Sequence, residues 1–141
     1  MGGTFDHLHD GHKLLLRTAL SVSESIEIGL TSQSLLEKKQ YASKLEDYET
    51  RKKNITEFLT SFSDLKRTNI VEIKNWDDMS GYAQDPEYEG LVLSQETYEN
   101  AIKLNKNREK IGLKPLILIV IPILRNENNQ KISSTSIREK L

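Results

Sequence analysis

The residues with the most chemistry to offer stand in one short run, Gly2-Gly3-Thr4-Phe5-Asp6-His7-Leu8-His9-Asp10-Gly11-His12. All three histidines of the 141-residue chain fall within it. His9 and His12 are three residues apart, so at a helix start they share one face about 4.5 Å apart along the axis. A helix start also presents unpaired N–H groups and partial positive charge, which suit an anion. Gly11 has no Cβ to hold a phosphate away from the backbone. Two imidazoles beside such donors have the means to stabilise charge as a phosphorus becomes five-coordinate. Two plainer readings compete with this one. His-x-x-His is half of a zinc site, which the carboxylates of Asp6 and Asp10 would have to complete. An ordinary capped helix start is the other.

A second polar run closes the chain: Lys131-Ile132-Ser133-Ser134-Thr135-Ser136-Ile137-Arg138. Hydroxyl side chains are common helix caps, and taken alone that reading suffices. Four hydroxyls in succession followed by an arginine exceed what a cap needs, and they suit the β- and γ-phosphates of ATP.

Both runs need a framework that brings them to one place. Leu14, Leu15, Leu16, Ala19, Leu20 and Val22 predict a helix over 11–24, and Ile26 to Leu30 alternates as a strand. Tyr48, Ile55, Phe58, Leu59 and Phe62 predict a helix over 46–62. Strands are expected at 70–73, 91–93 and 116–121, a helix at 96–110, and a last helix over 133–141. The stretch 75–89 reads as a long loop, a frequent place for function. Strands alternating with helices predict a Rossmann-like, doubly wound parallel α/β sheet of about five strands with helices on both faces. In such a sheet both polar helix starts open at the carboxyl edge, where ligands bind. Only Met1 precedes Gly2, so the strand ahead of the first glycine turn is either very short or lies upstream.

Composition narrows the possibilities further. Lys and Arg total 20 against 21 Asp and Glu, a net charge of -1, which disfavours a general nucleic-acid binder. No cysteine is present, so disulfides, thiolate metal sites and cysteine nucleophiles are excluded. The apolar run Leu116 to Ile121 is far too short to span a membrane. A soluble cytoplasmic enzyme is expected, one domain over 1–141 and a monomer.

The runs at 2–12 and 132–138 together resemble the HxGH nucleotidyltransferase superfamily. Lys38-Lys39-Gln40-Tyr41-Ala42, Tyr48, Arg51, Asp85-Pro86 and Ser94-Gln95-Glu96-Thr97 extend the likeness to the archaeal and eukaryotic phosphopantetheine adenylyltransferase family. The resemblance implies transfer of AMP from ATP to 4′-phosphopantetheine, giving dephospho-CoA and pyrophosphate. It casts His12 as the transition-state histidine and His9 as its partner on the ATP phosphates. Lys39 would neutralise the acceptor phosphate, with Lys38 adjacent in register. Gly3, Thr4 and Phe5 would form the turn that touches both substrates. Ser94, Glu96 and Thr97 would line the adenosine pocket, and Ser133, Ser134, Thr135 and Arg138 the triphosphate. Trp76 and Tyr82 are candidates for the pantetheine arm, and a packed loop aromatic is an equal reading of each. Arg51 matches a family arginine but acquires no role from the resemblance. Magnesium would arrive with ATP, with no metal site built by the protein and no tightly held organic cofactor. Nicotinamide mononucleotide as acceptor, glycerol phosphate with a cytidylyl donor, and an inactive nucleotide-binding module remain the alternatives.

Overall fold

The computed structural model describes residues 1–36, 45–63, 65–75 and 84–122. Lys38, Lys39, Trp76, Tyr82, Ser133, Ser134, Thr135 and Arg138, and with them the last expected helix, lie outside the described residues.

Among the described residues are five strands, parallel to their neighbours in each sheet, and three helices. The order is β1 (Gly2–Gly3), α1 (Asp10–Val22), β2 (Ile26–Thr31), α2 (Tyr48–Thr60), β3 (Thr68–Ile73), β4 (Gly90–Ser94), α3 (Tyr98–Lys110) and β5 (Ile117–Ile121). A 3-10 turn, Gln95–Thr97, leads directly into α3. Strand β2 sits between β1 and β3, in registers Gly2↔Gly29 and Ile28↔Ile70, while β4 pairs β5 with Val92↔Ile119. The ladders therefore form a three-stranded and a two-stranded piece rather than one continuous five-stranded sheet.

Side-chain packing joins what the ladders leave separate. Leu16 and Leu20 of α1, Ile55 and Leu59 of α2, and Ile28 and Leu30 of β2 close one apolar cluster with Phe5. Ala19 of α1 packs with Val92 of β4 and Ile121 of β5 in a second, and Met1, Leu15 and Ile26 touch both. Helix α1 thus covers both pieces, and α1 and α2 lie on one face. Helix α3 is the crossover that joins the parallel neighbours β4 and β5.

Local chemistry sets the ends of these elements. Asp47 caps α2 by accepting the Thr50 N–H at 2.7 Å. Helix α1 ends in an extended Ser23, where Arg67 donates to the carbonyls of Leu20, Ser23 and Glu24 that the helix itself leaves unpaired. Within the three-stranded piece the strands are parallel, so Thr4, Thr31 and the head of α1 follow the carboxyl ends of β1 and β2 at one edge, and Ser94 ends β4.

Candidate active site

The turn between β1 and α1 is built from strained backbone. Phe5 and His7 have φ of 51° and 46°, the left-handed region in which side chains other than glycine's sit poorly. Each such residue costs about 1–3 kcal/mol and persists only where its surroundings hold it. The Phe5 side chain is buried in the core, and Asp6 is wholly buried. Asp6 Oδ1 accepts the Glu46 N–H at 2.8 Å, and Glu46 Oε1 accepts the His7 N–H at 2.6 Å. The turn is therefore stitched reciprocally to the segment just ahead of α2.

Asp6, His7 and Glu46 are also the one group among the described residues whose ligand atoms approach at metal-site spacing. Asn54 Nδ2 donates to Glu46 Oε2 at 3.2 Å, so both Glu46 oxygens and Asp6 Oδ1 are engaged by protein donors. The trio ties the turn down.

His9 and His12 of the first run meet as their spacing predicts. Their rings stack, with centroids 3.8 Å apart and planes 20° from parallel, and Phe5 lies 5.2 Å from His12. His9 is the N-cap of α1, an unusual choice that works because its Nδ1 accepts the Gly11 N–H at 3.1 Å. His12 Nδ1 accepts the His9 N–H at 3.3 Å, closing a reciprocal box. A ring nitrogen that accepts carries no hydrogen, so each neutral imidazole bears its proton on Nε2. Both rings are thereby set as donors.

Burial keeps them neutral. His12 is brought down to about 3 from 6.5, chiefly because burial penalises the charged ring and secondly because His9 lies against it. His9 is lowered for the first of those reasons, with Asp10 pulling the other way. The pair is thus two neutral donors rather than two cations.

This depression has a consequence for stability. Below about 6.5 the unfolded chain takes up a proton at His12 that the folded chain refuses, so stability falls as pH drops toward about 3. The expected slope from this group approaches about 1.4 kcal/mol per pH unit. Melting temperature followed between neutral and acid pH checks it. His12→Asn, which keeps an acceptor near Nδ1 but does not titrate, should fall less steeply, and identical curves would remove His12 as the cause.

Gly11 is also required for a reason its place in the sequence does not show. A Cβ there would lie 2.9 Å from Cε1 and 3.1 Å from Nδ1 of His9, so the glycine makes room for the capping ring rather than for a phosphate alone. Gly11→Ala is expected to push the His9 ring aside and lower turnover about tenfold, although alanine favours helix by about 1 kcal/mol. Ring proton shifts of His9 and His12 beside the kinetics measure this, and unmoved rings would contradict it.

Ser94 ends β4 half-buried, and Glu96 and Thr97 are exposed at the head of α3. Thr97 Oγ1 donates to the Ser94 carbonyl at 3.3 Å. Gly3, Phe5, His9 and His12 lie against one another around the β1–α1 turn. Residues 1–140 match the cytidylyltransferase-like family.

The chain belongs to the cytidylyltransferase-like family. Within it, the chain is similar to proteins named phosphopantetheine adenylyltransferase. One from Pyrococcus abyssi is 43% identical over 141 residues, spanning 100% of this chain and 88% of that protein. One from Pyrococcus horikoshii is 44% identical over 142 residues, spanning 100% and 87%. A crystal structure of a protein of unknown function from Archaeoglobus fulgidus matches with a TM-score of 0.72 and 31% identity, covering 86% of this chain and 95% of that one. No helix among the described residues is long and apolar enough to cross a membrane.

Three residues of this cytidylyltransferase-like site gained no role from sequence. Arg51 is wholly buried on the same α2 stripe as Ile55 and Leu59. Its Nε donates to the Glu46 carbonyl at 3.1 Å, and its Nη1 to the carbonyls of Thr4 at 3.0 Å and Thr31 at 2.8 Å. Thr31, 5% exposed, donates through Oγ1 to Thr4 Oγ1 at 3.3 Å. Glu46 is the third, through its hold on His7. A charge four residues before Ile55 in an apolar stripe was the available signal for Arg51. For Thr31 and Glu46 the sequence offered none.

Proposed function

We propose that the protein is an adenylyltransferase that moves AMP from ATP to 4′-phosphopantetheine, giving dephospho-CoA and pyrophosphate for coenzyme A biosynthesis. The observation that carries this reading is the stacked His9–His12 pair, fixed as neutral Nε2 donors at the head of α1. The names of relatives at 43% and 44% identity supply the acceptor.

The chemistry asks for positioning rather than for a general base. The terminal phosphate of the acceptor is already a nucleophile at neutral pH. Its oxygen attacks the α-phosphorus of ATP in line, the new P–O bond forms, and the bond to the β-phosphate breaks to release pyrophosphate. Two N–H donors fixed before the substrate arrives stabilise charge as it develops on the transferring group without reorganising. Magnesium enters as part of the Mg²⁺–ATP substrate, held by the phosphates and water. Lys39 is proposed to neutralise the acceptor phosphate, and Ser133, Ser134, Thr135 and Arg138 to hold the departing pyrophosphate. One domain working as a monomer in the cytoplasm completes the proposal.

Incubation with Mg²⁺–ATP and each of 4′-phosphopantetheine and nicotinamide mononucleotide, and with Mg²⁺–CTP and glycerol phosphate, tests it by pyrophosphate release. Release on the first acceptor alone is expected. Release on another acceptor reassigns the substrate, and ATP binding without release on any of them leaves a nucleotide-binding module.

A further inference from the structure

We infer that Thr31 and Arg51 are positioning residues that clamp Thr4, and through it the strained turn that meets the transferring phosphates; this rests on the adenylyl-transfer reading above. Thr4 is gripped twice. Arg51 Nη1 draws its carbonyl to that of Thr31, with distances of 3.0 Å and 2.8 Å, and the Thr31 hydroxyl donates to the Thr4 hydroxyl at 3.3 Å. The Thr4 hydroxyl is thereby held as an acceptor from the Thr31 side.

The place of the clamp gives it a use. The β1–β2 ladder runs only from Gly2↔Gly29 to Gly3↔Leu30, so Thr4 and Thr31 are the first pair beyond it. Immediately afterwards the backbone passes through Phe5 and His7 at positive φ, then reaches the His9 cap. A turn that stores strain relaxes unless its entry is held, and here the entry is Thr4. The guanidinium stands where the helical stripe asks only for an apolar side chain, as at Ile55 and Leu59. An apolar residue would fill that stripe without the cost of burying a charge, so packing does not account for Arg51. Its Nη2 is buried with no partner among the described residues, so fully paired hydrogen bonding does not account for it either. What the side chain does achieve is to bring two strand ends together at one nitrogen.

Small errors in this turn are expected to be costly, because a displacement of about 1 Å at a reacting centre can lower rate about a hundredfold. Thr31→Val keeps the branched shape and the carbonyl that Arg51 holds, and removes only the hydroxyl. In the full chain it is expected to lower kcat about tenfold, with the unfolding midpoint and the KM for Mg²⁺–ATP nearly unchanged, and Thr31→Ser should restore turnover. Arg51→Lys should lower kcat at least as much. The combined variant should lose less than the product of the two, because both act through Thr4. In the ligand-free protein, amide hydrogen exchange over residues 5–9 should quicken in both single variants while the amides of α3 hold their rates.

Parent-like exchange and turnover in Thr31→Val overturn the clamp, as does a Thr31→Ser variant as impaired as the valine. If Arg51→Lys fails to fold, the valine and serine pair decides the matter unaided. Quickened exchange in a protein whose parent releases no pyrophosphate on any acceptor would uphold the clamp and remove the function. Normal exchange and turnover in the variants of an active parent would do the reverse.

Discussion

His12→Ala is expected to lower kcat by at least about a hundredfold, the usual cost of removing one fixed donor from a developing anion, or roughly 2.7–4 kcal/mol of barrier. Part of any stability change in that variant belongs to the cap, since His12 Nδ1 accepts the His9 N–H. Loss of a capping acceptor costs about 0.5–2 kcal/mol. The two effects separate in His12→Asn, whose amide oxygen reaches the position of Nδ1 while nothing reaches the position of Nε2. Turnover should collapse in both variants, and stability should recover in the asparagine. Steady-state pyrophosphate release and denaturant unfolding measure the pair. Near-parent turnover in either variant would remove His12 from the chemistry.

The largest stability effect is expected at Arg51. Arg51→Met keeps a long straight side chain on the α2 stripe but withdraws the donors to Thr4, Thr31 and Glu46. Two terms oppose each other. Relieving a buried charge is favourable, and leaving buried acceptors without a donor costs about 1–3 kcal/mol each. Removing one member of a buried charged arrangement is usually a net loss of about 3–5 kcal/mol, so the second term wins. A decrease of about 3 kcal/mol in unfolding free energy is expected. Arg108 is the useful control. It too is buried and donates to backbone carbonyls, those of Lys114, Asp85 and Tyr88. Those carbonyls precede β5 and β4, at the amino ends of those strands. Arg108→Met should therefore destabilise comparably while folded protein keeps its kcat. Equal losses of kcat in the two variants would mean that general loosening, not the turn, is what turnover senses.

The chain order of strands and helices was legible because each long element carries a strong period. Leu16, Ala19 and Leu20 recur at helical spacing and are buried, and β2 reads as an alternating strand that is central and packed from Ile28 onward. Element ends were less legible. The structure starts β3 at Thr68, two residues before its apolar run, because its pairing with Ile26 and Glu27 of β2 extends it. The His9–His12 pair was equally plain, since three-residue spacing on a helix leaves two rings little choice but to be neighbours.

Other features depended on residues distant in the chain. No local pattern announces that Glu46 will catch His7, or that Thr31 will meet Thr4 across 27 positions. The charge state of the histidines was likewise beyond the sequence, because desolvation depends on what surrounds a ring in space. Residue types and spacing alone determined which groups this protein has for handling phosphate and the helix start that presents them. Only the tertiary structure decided that those groups are neutral donors on a strained turn, clamped by a buried arginine, because burial and contacts between strand ends exist only once the sheet has formed.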